Sequence, residues 1–103
     1  MPAYLGKILW VDLNTHRCQE EKIPDNVYAQ YLSGVGLAAH ILYESIPAQA
    51  DPLGPDNVLG FVSGLLTGTP SLFTGRWMVV AKSPLTGTWG EANCGGKFGM
   101  AIK

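Results

Sequence analysis

The alternation of apolar and polar residues divides the first half of the chain into a hairpin followed by two helices. Residues 4–12 are rich in Leu, Ile, Trp and Val, which favours a strand, and residues 17–23 are polar but compatible with an edge strand. The run 13–16 between them predicts a turn, because Asn and Thr bond readily to nearby backbone groups. Apolar residues at helical spacing then predict one helix over 26–32 and another over 37–46.

The residues around the two predicted helices indicate where each one begins and ends. Asp25 is a plausible cap for the first helix, and the Ser-Gly-Val-Gly run 33–36 interrupts the helical pattern before the second. Pro47 closes the second helix, because proline cannot continue the backbone hydrogen bonding. Residues 47–57 hold three prolines and one glycine, which predicts a loop.

The second half of the chain has the pattern of short strands. An apolar run over 58–63 predicts one strand, residues 76–82 form the clearest strand pattern, and residues 88–92 are compatible with another. A helical start follows over 97–103.

Glycines and a repeated tetrapeptide are frequent within and between these predicted strands. Nine of the 13 glycines lie between Gly60 and Gly99. The sequence Leu-Thr-Gly-Thr occurs twice, at 66–69 and 85–88, each time after a predicted strand or its end. We interpret the two copies as similar turns, in which Thr bonds to local backbone groups and Gly adopts a positive φ.

The composition is that of one small folded domain. Of the 103 residues, 47% are hydrophobic and 15% are charged, which is unlike a disordered chain. The net charge of −1 argues against a general nucleic-acid binder. No apolar run reaches the ~20 residues that a membrane helix needs, and no basic and apolar leader marks secretion. We therefore expect a cytoplasmic protein that binds neither nucleic acid nor membrane.

The charges are distributed unevenly between the two halves. Residues 1–56 contain three basic and seven acidic side chains, a net charge of −4. Residues 57–103 contain four basic side chains and one acidic side chain, a net charge of +3. The second half could attract a compact anion. With so few charges, chance alone can produce this imbalance, and charge by itself favours that simpler interpretation.

A glycine motif at residues 34–39, G-x-G-x-x-A, matches the fingerprint of dinucleotide-binding proteins. That site needs a strand before the glycines, so that they lead into a helix facing a pyrophosphate. A predicted helix precedes them here, and the following strand lacks the acidic residue expected for the ribose. A glycine hinge between two packed helices is the favoured interpretation.

The Thr-Gly-Arg run 74–76 is a candidate phosphate site. The planar fork of Arg76 can donate two parallel hydrogen bonds to a phosphate, and Gly75 would let a ligand approach the backbone closely. The alternative is a surface Arg at the start of a strand.

The run 92–99 is a second candidate for binding an anion or a heterocycle. Gly95 and Gly96 precede the last helical start, where unpaired N–H groups and the helix dipole favour anions. Asn93 offers both a donor and an acceptor, which suits the edge of a heterocycle. The alternative is an Asn cap followed by a tight turn.

The cysteines carry no predicted chemistry. Cys18 and Cys94 form no ligand set for zinc or an iron–sulfur cluster, and we predict no metal ligand in the chain. Neither His16, in the first turn, nor His40, on the second helix, can be assigned as an acid–base partner for Cys94. We expect Cys94 to be a small buried residue and predict no catalytic residue.

Several segments are specific in combination and span essentially the whole chain: residues 6–15 (GKILWVDLNT), Leu37 with 51–57 (DPLGPDN), 66–69 (LTGT), 74–76 (TGR), 82–87 (KSPLTG) and 92–99 (ANCGGKFG). Together they resemble the aldehyde:ferredoxin oxidoreductase family, enzymes that carry tungsten or molybdenum on a pair of pterins. Cys94 is a mild departure, since serine is common there in the family.

The resemblance implies an α+β fold with a mostly antiparallel sheet and two short helices in the first half. Residues 1–103 would form a single domain, or about the first half of the family's N-terminal domain. It also implies that Arg76, Asn93 and Gly95 bind one tungstopterin or molybdopterin and its phosphate.

The resemblance also limits what the chain can do alone. The family's [4Fe-4S] cysteines, a second arginine- and glycine-bearing cofactor segment and the substrate pocket lie downstream of residue 103. With those parts, members oxidise aldehydes to carboxylic acids and pass electrons to ferredoxin, and relatives reduce aromatic acyl-CoA esters. We expect a fragment or split subunit of such an enzyme. The alternative is a non-catalytic module that folds and self-associates without cofactor.

The last predicted element runs to residue 103 with no Gly, Pro or polar tail after it. We interpret this as a short gene product or a piece of something longer, whose sheet edges lack their usual cover. Exposed edges and apolar patches promote association. The expected partner is the remainder of the oxidoreductase or a second copy of the chain, paired through a two-fold axis.

Overall fold

The computed structural model describes residues 4–103 and follows the predicted order of elements. The elements are β1 (Lys7–Asp12), β2 (Arg17–Lys22), α1 (Asp25–Tyr31), α2 (Gly34–Ser45), β3 (Gly60–Ser63), β4 (Trp77–Lys82), β5 (Trp89–Cys94) and α3 (Phe98–Ile102). Within this described part, every helix is too short or too polar to cross a bilayer.

The strands form two separate antiparallel sheets. β1 pairs with β2 in a hairpin, and β3, β4 and β5 form a three-stranded sheet with β4 at the centre. α1 and α2 lie in the first half of the chain, as expected. The predicted α+β fold with antiparallel strands is therefore confirmed.

The core lies between α2 and the three-stranded sheet. Ala38 and Leu42 of α2 pack on Val80 of β4, and all three are at most 5% exposed. Gly60 on β3 permits this close packing, because a Cβ there would lie 3.0 Å from a methyl group of Val80. Full burial of a Leu or Val side chain contributes roughly 1.5–3 kcal/mol. This contact therefore fixes α2 on one face of the sheet.

The hairpin is joined to the helices through Tyr4. The Tyr4 ring stacks on that of Tyr28 in α1, with ring centroids 3.9 Å apart, and its hydroxyl donates to Asp25 over 3.1 Å. Desolvation, followed by the hydrogen bond to Asp25, raises the pKa of Tyr4, and burial raises the pKa of Tyr28. Every residue of β2 is exposed, so the hairpin is not covered along this strand.

Asn57 orders the proline-rich loop. Its amide nitrogen donates to the carbonyl oxygens of Pro52, over 2.8 Å, and Lys82, over 3.0 Å. Its Oδ1 accepts from the backbone N–H groups of Val58 and Lys82. The ammonium of Lys82 donates to the carbonyl oxygen of Ala50 over 2.7 Å. The loop is therefore fixed to the C-terminal end of β4.

The two Leu-Thr-Gly-Thr segments are turns, as predicted. Their glycines have φ angles of +80° and +71°. In the first copy the Thr69 hydroxyl donates to the carbonyl oxygen of Leu66 over 2.6 Å. In the second copy the Thr86 hydroxyl accepts from the N–H of Thr88 over 3.2 Å.

The break between α1 and α2 is shorter than the predicted interruption over 33–36. α2 begins at Gly34, and the residues between the helices are Leu32 and Ser33, with φ angles of +60° and +73°. Gly36 lies inside α2, where a Cβ would come within 2.7 Å of the carbonyl oxygen of Tyr31. Gly36 therefore allows the two helices to approach each other closely and does not interrupt α2.

The prediction of Asp25 as a helix cap is wrong. Pro24 precedes α1, and no side chain caps that end with a hydrogen bond. Asp25 is the first helical residue, where a negative charge suits the helix dipole and the carboxylate accepts from Tyr4. Several strand limits also differ from the prediction by one to three residues: β1 begins at Lys7 and not at residue 4, β3 begins at Gly60, and β5 runs to Cys94.

Candidate functional site

Two of the predicted site residues meet at one end of the three-stranded sheet. Arg76 immediately precedes β4, and Asn93 lies in the edge strand β5, where it pairs with Met78. Side chains alternate between faces along a strand, so Arg76, Met78 and Asn93 share one face. Nη1 of Arg76 donates a hydrogen bond to Oδ1 of Asn93. The ladder register thus joins two residues that are 17 positions apart in sequence.

The glycine connection after β5 lies against the same end of the sheet. Gly95 and Gly96 lie between the end of β5 and the start of α3. A Cβ on Gly75, next to Arg76, would overlap the carbonyl oxygen of Gly96. Gly96 itself has a φ of +92°. The close backbone contact therefore requires glycine at position 75 and brings the segment that contains Gly95 beside Arg76.

Arg76 keeps most of its hydrogen-bonding capacity. The side chain is exposed, and the ion pairs formed within residues 4–103 do not include it. One of its five N–H donors is used on Asn93. A Cβ on Gly95 would meet no atom within 4 Å, so this glycine borders open space. This end of the sheet thus presents an uncompensated positive charge beside an open backbone surface.

An open groove of about 410 Å³ leads away from Arg76. Its walls are residues 64–67 and 73–74, together with Leu32 at the end of α1. Leu32 and Phe73 have φ angles of +60° and +59°, and the Phe73 side chain is fully exposed. Non-glycine residues rarely adopt this backbone conformation, and it recurs at ligand sites. The groove combines apolar walls with one cationic end.

Thr67 in this groove was missed by the sequence analysis. Its side chain is 2% exposed, although it is polar. The hydroxyl accepts from the N–H of Gly64 over 3.1 Å and donates to the carbonyl oxygen of Thr74 over 2.7 Å. Thr86, its counterpart in the second Leu-Thr-Gly-Thr copy, is exposed. The repeat is the only signal in the sequence, and it does not distinguish the two threonines.

Cys94 is exposed, so the prediction that it is buried is wrong. It ends an edge strand and pairs with Trp77, on the face of the sheet opposite Val80 and α2. No set of three or more His, Cys, Asp or Glu side chains suited to a metal ion occurs within residues 4–103.

The glycine motif 34–39 does not have the setting of a nucleotide site. The element before it is helix α1 and not a strand, but the interpretation as a glycine hinge is wrong, because Gly34 and Gly36 lie within α2 and only Leu32 and Ser33 separate the two helices. His40 stacks on Tyr31 with ring centroids 4.5 Å apart, and its Nε2 lies 3.7 Å from Glu44. His40 therefore belongs to the contact between these helices.

Comparison with known proteins identifies similar chains over almost the whole sequence. The family model for the N-terminal domain of aldehyde ferredoxin oxidoreductase matches residues 8–103. The chain is 40% identical over 103 residues to a tungsten-containing aldehyde ferredoxin oxidoreductase of Pyrococcus horikoshii, which covers 100% of this chain. It is 36% identical over 88 residues to the WOR-like subunit of an aliphatic sulfonate oxidoreductase of Pyrococcus furiosus, which covers 82% of this chain.

A solved structure has the same fold. It is the active-site complex BamBC of benzoyl coenzyme A reductase with 1,5-dienoyl-CoA, at a TM-score of 0.92 and 32% identity over 96% of this chain. The chain covers 15% of that protein chain, 17% of the Pyrococcus horikoshii relative and 14% of the Pyrococcus furiosus subunit. The extent of the family match shows that this chain belongs to the aldehyde ferredoxin oxidoreductase family, in the region of its N-terminal domain.

Proposed function

We propose that this chain is the pterin-binding N-terminal part of a tungsten-dependent oxidoreductase. Arg76, Asn93 and Gly95 would bind one pterin by its phosphate and by the edge of its ring. The observation that carries the proposal is the position of an exposed Arg76, which has no acidic partner among residues 4–103 and is hydrogen-bonded to Asn93 beside open glycine backbone.

The donor set fits a phosphorylated heterocycle. A guanidinium matches the spacing of two phosphate oxygens, and four of its N–H donors remain after the bond to Asn93. The amide of Asn93 can pair with the mixed donors and acceptors of a pterin edge. The absence of a side chain at Gly95 leaves room for a flat ring against the backbone.

The bound metal–pterin group would supply the two-electron and oxygen-transfer chemistry, while the protein holds and orients it. In the complete enzyme we propose oxidation of aldehydes to carboxylic acids, with ferredoxin as electron acceptor and a [4Fe-4S] cluster outside this chain. The names of the relatives from Pyrococcus favour tungsten over molybdenum. Similar chains also occur in enzymes named for other substrates, an aliphatic sulfonate oxidoreductase and benzoyl coenzyme A reductase. We place the protein in the cytoplasm.

The sheet edges favour a second candidate function, that of a module that associates with another copy of itself. Within residues 4–103, β4 is the only strand with a neighbour on both sides. The hairpin also exposes apolar side chains: Leu9 at 60%, Val11 at 53% and Leu13 at 82%. A two-fold pairing could set the acidic half of each copy against the basic half of the other.

Replacing Arg76 by Lys tests the phosphate contact. Arg76→Lys keeps the charge but loses the second parallel hydrogen bond, so we expect pterin to bind roughly tenfold more weakly. Pterin content per protein, measured on the complete enzyme, reports the loss. Arg17→Lys on the exposed strand β2 is the matched control and should leave the content unchanged. Equal pterin content in Arg76→Lys and wild type would contradict the assignment.

Replacing Gly95 by Val tests whether the ligand lies against open backbone. Gly95 does not have a positive φ, and a Cβ there meets no neighbour, so the fold should tolerate the larger residue. We expect pterin content to fall at least about tenfold while the melting temperature stays close to that of wild type. Ala92→Val, on the opposite face of β5, is the control. Normal pterin content in Gly95→Val would exclude a ligand at this position.

Sedimentation velocity tests the self-association candidate. At micromolar concentration and low salt we expect the isolated chain to sediment as a dimer. Added salt should weaken the dimer, because it screens the attraction between acidic and basic halves. A monomer that melts cooperatively under the same conditions would refute the pairing.

A further inference from the structure

The segment that leads into Arg76 is cross-linked by a buried hydroxyl. Residues 64–76 run from the end of β3 to the start of β4 and form most of the groove wall. The Thr67 hydroxyl accepts from Gly64 at one end of this segment and donates to Thr74, two residues before Arg76. Thr67 therefore closes the segment into a loop of defined shape.

The ammonium of Lys103 ties the same loop to the end of α3. Its Nζ donates to the carbonyl oxygens of Leu65 and Thr67, each over 2.7 Å. Desolvation lowers the pKa of Lys103, which agrees with its position against the loop. Lys103 therefore binds the backbone of Thr67, whose hydroxyl holds Thr74, and the backbone of Leu65 nearby.

Helix α3 contacts the loop at a second point. Gly99 is buried, and a Cβ there would lie 3.0 Å from the carbonyl oxygen of Gly75 and 3.4 Å from Cγ2 of Thr67. The helix therefore contacts both Thr67 and Gly75, the residue adjacent to Arg76. Gly99 allows the close approach, and Lys103 fastens the helix end.

The loop needs such support because its own backbone is strained. Phe73 has a φ of +59° and no cover for its side chain, so local packing does not hold it in this conformation. Contacts from elsewhere must hold the loop, and α3 provides them on the side of Thr67 and Gly75.

We infer that Thr67 and Lys103 are positioning residues that hold the 64–76 loop and thereby aim Arg76 at the anion. The inference rests on the proposed function for its ligand and on the hydrogen bonds above for its geometry. Thr67 and Lys103 act through Arg76 and do not themselves contact the phosphate.

The test compares two lysines that make the same kind of bond at different places. Lys103→Met removes both loop hydrogen bonds, whereas Lys103→Arg retains donors for both carbonyls. Lys82→Met is the matched control, because Lys82 Nζ also donates to a carbonyl oxygen over 2.7 Å, but at the other end of β4. Thr67→Val replaces the hydroxyl by a methyl group of similar size. Lys103→Gln serves as the milder change if Lys103→Met unfolds.

Two measurements on the full 103-residue chain report the effects. Hydrogen exchange measures the exchange rates of the backbone amides of residues 64–76. Calorimetric titration measures the affinity of the Arg76 site for inorganic phosphate. In Lys103→Met and Thr67→Val we expect exchange in the loop to be roughly tenfold faster and phosphate affinity roughly tenfold lower. Lys103→Arg should restore both values to near wild type, and Lys82→Met should change neither.

Unchanged hydrogen exchange of residues 64–76 in Lys103→Met would contradict the inference that Lys103 holds the loop. Faster exchange with unchanged phosphate affinity would overturn the positioning role, and so would failure of Lys103→Arg to restore affinity. Failure of the proposed function itself gives another result, which concerns phosphate binding by wild type and by Arg76→Lys. If wild type does not bind phosphate, or if Arg76→Lys leaves the phosphate affinity unchanged, the assignment of the anion site is wrong. The exchange results alone then decide whether Thr67 and Lys103 hold the loop.

Discussion

β4 is the strand on which both the core and the candidate site depend. It has a partner strand on each side, and Val80 within it carries the packing of α2. Arg76 stands directly before its first residue, and Lys82 at its end holds the proline-rich loop through Asn57. A slip of one residue in the ladder would turn every side chain to the other face. The pairing that builds the core therefore also sets the geometry of Arg76 and Asn93.

The candidate site is exposed, and this has consequences for affinity. Hydrogen bonds at an open surface contribute little on their own, because water competes for the same donors. Arg76 and Asn93 orient each other, and the Gly75–Gly96 contact brings a second backbone segment close to them. Under the proposed function, tight retention of a pterin would require further surface to cover it. The chain spans 17% of the length of the Pyrococcus horikoshii relative, so such an enzyme has ample chain to provide that cover.

The order and type of the elements could be predicted because each follows from local pattern. Alternating apolar residues marked the strands, helical spacing marked α1 and α2, and the two Thr-Gly turns have the expected backbone. Contacts distant in sequence could not be predicted. The role of Gly36 depends on the carbonyl group of Tyr31, and the acceptor role of Asp25 depends on Tyr4, which lies outside α1.

The candidate site likewise has a part that could be predicted from the sequence and a part that depends on contacts distant in sequence. Arg76, Asn93 and Gly95 were predicted from residue chemistry and from a family resemblance, while the proximity of Arg76 and Asn93 follows from the β4–β5 register and that of Gly95 from the Gly75–Gly96 contact. Thr67 and Lys103 carry no local signal, since an identical tetrapeptide has its threonine exposed and a lysine is usually solvated. Their partners are backbone N–H and carbonyl groups, which every sequence contains. Such residues become visible only in three dimensions.

The proposed function requires that this end of the sheet binds a phosphate-bearing ligand. Nuclear magnetic resonance of the isotope-labelled chain, titrated with inorganic phosphate, tests it most directly. We expect saturable shifts of the Arg76 guanidinium, the Asn93 side-chain amide and the Gly95 backbone amide, with the hairpin signals unmoved. Shifts centred on another surface, or no saturable shift at these three residues, would contradict it.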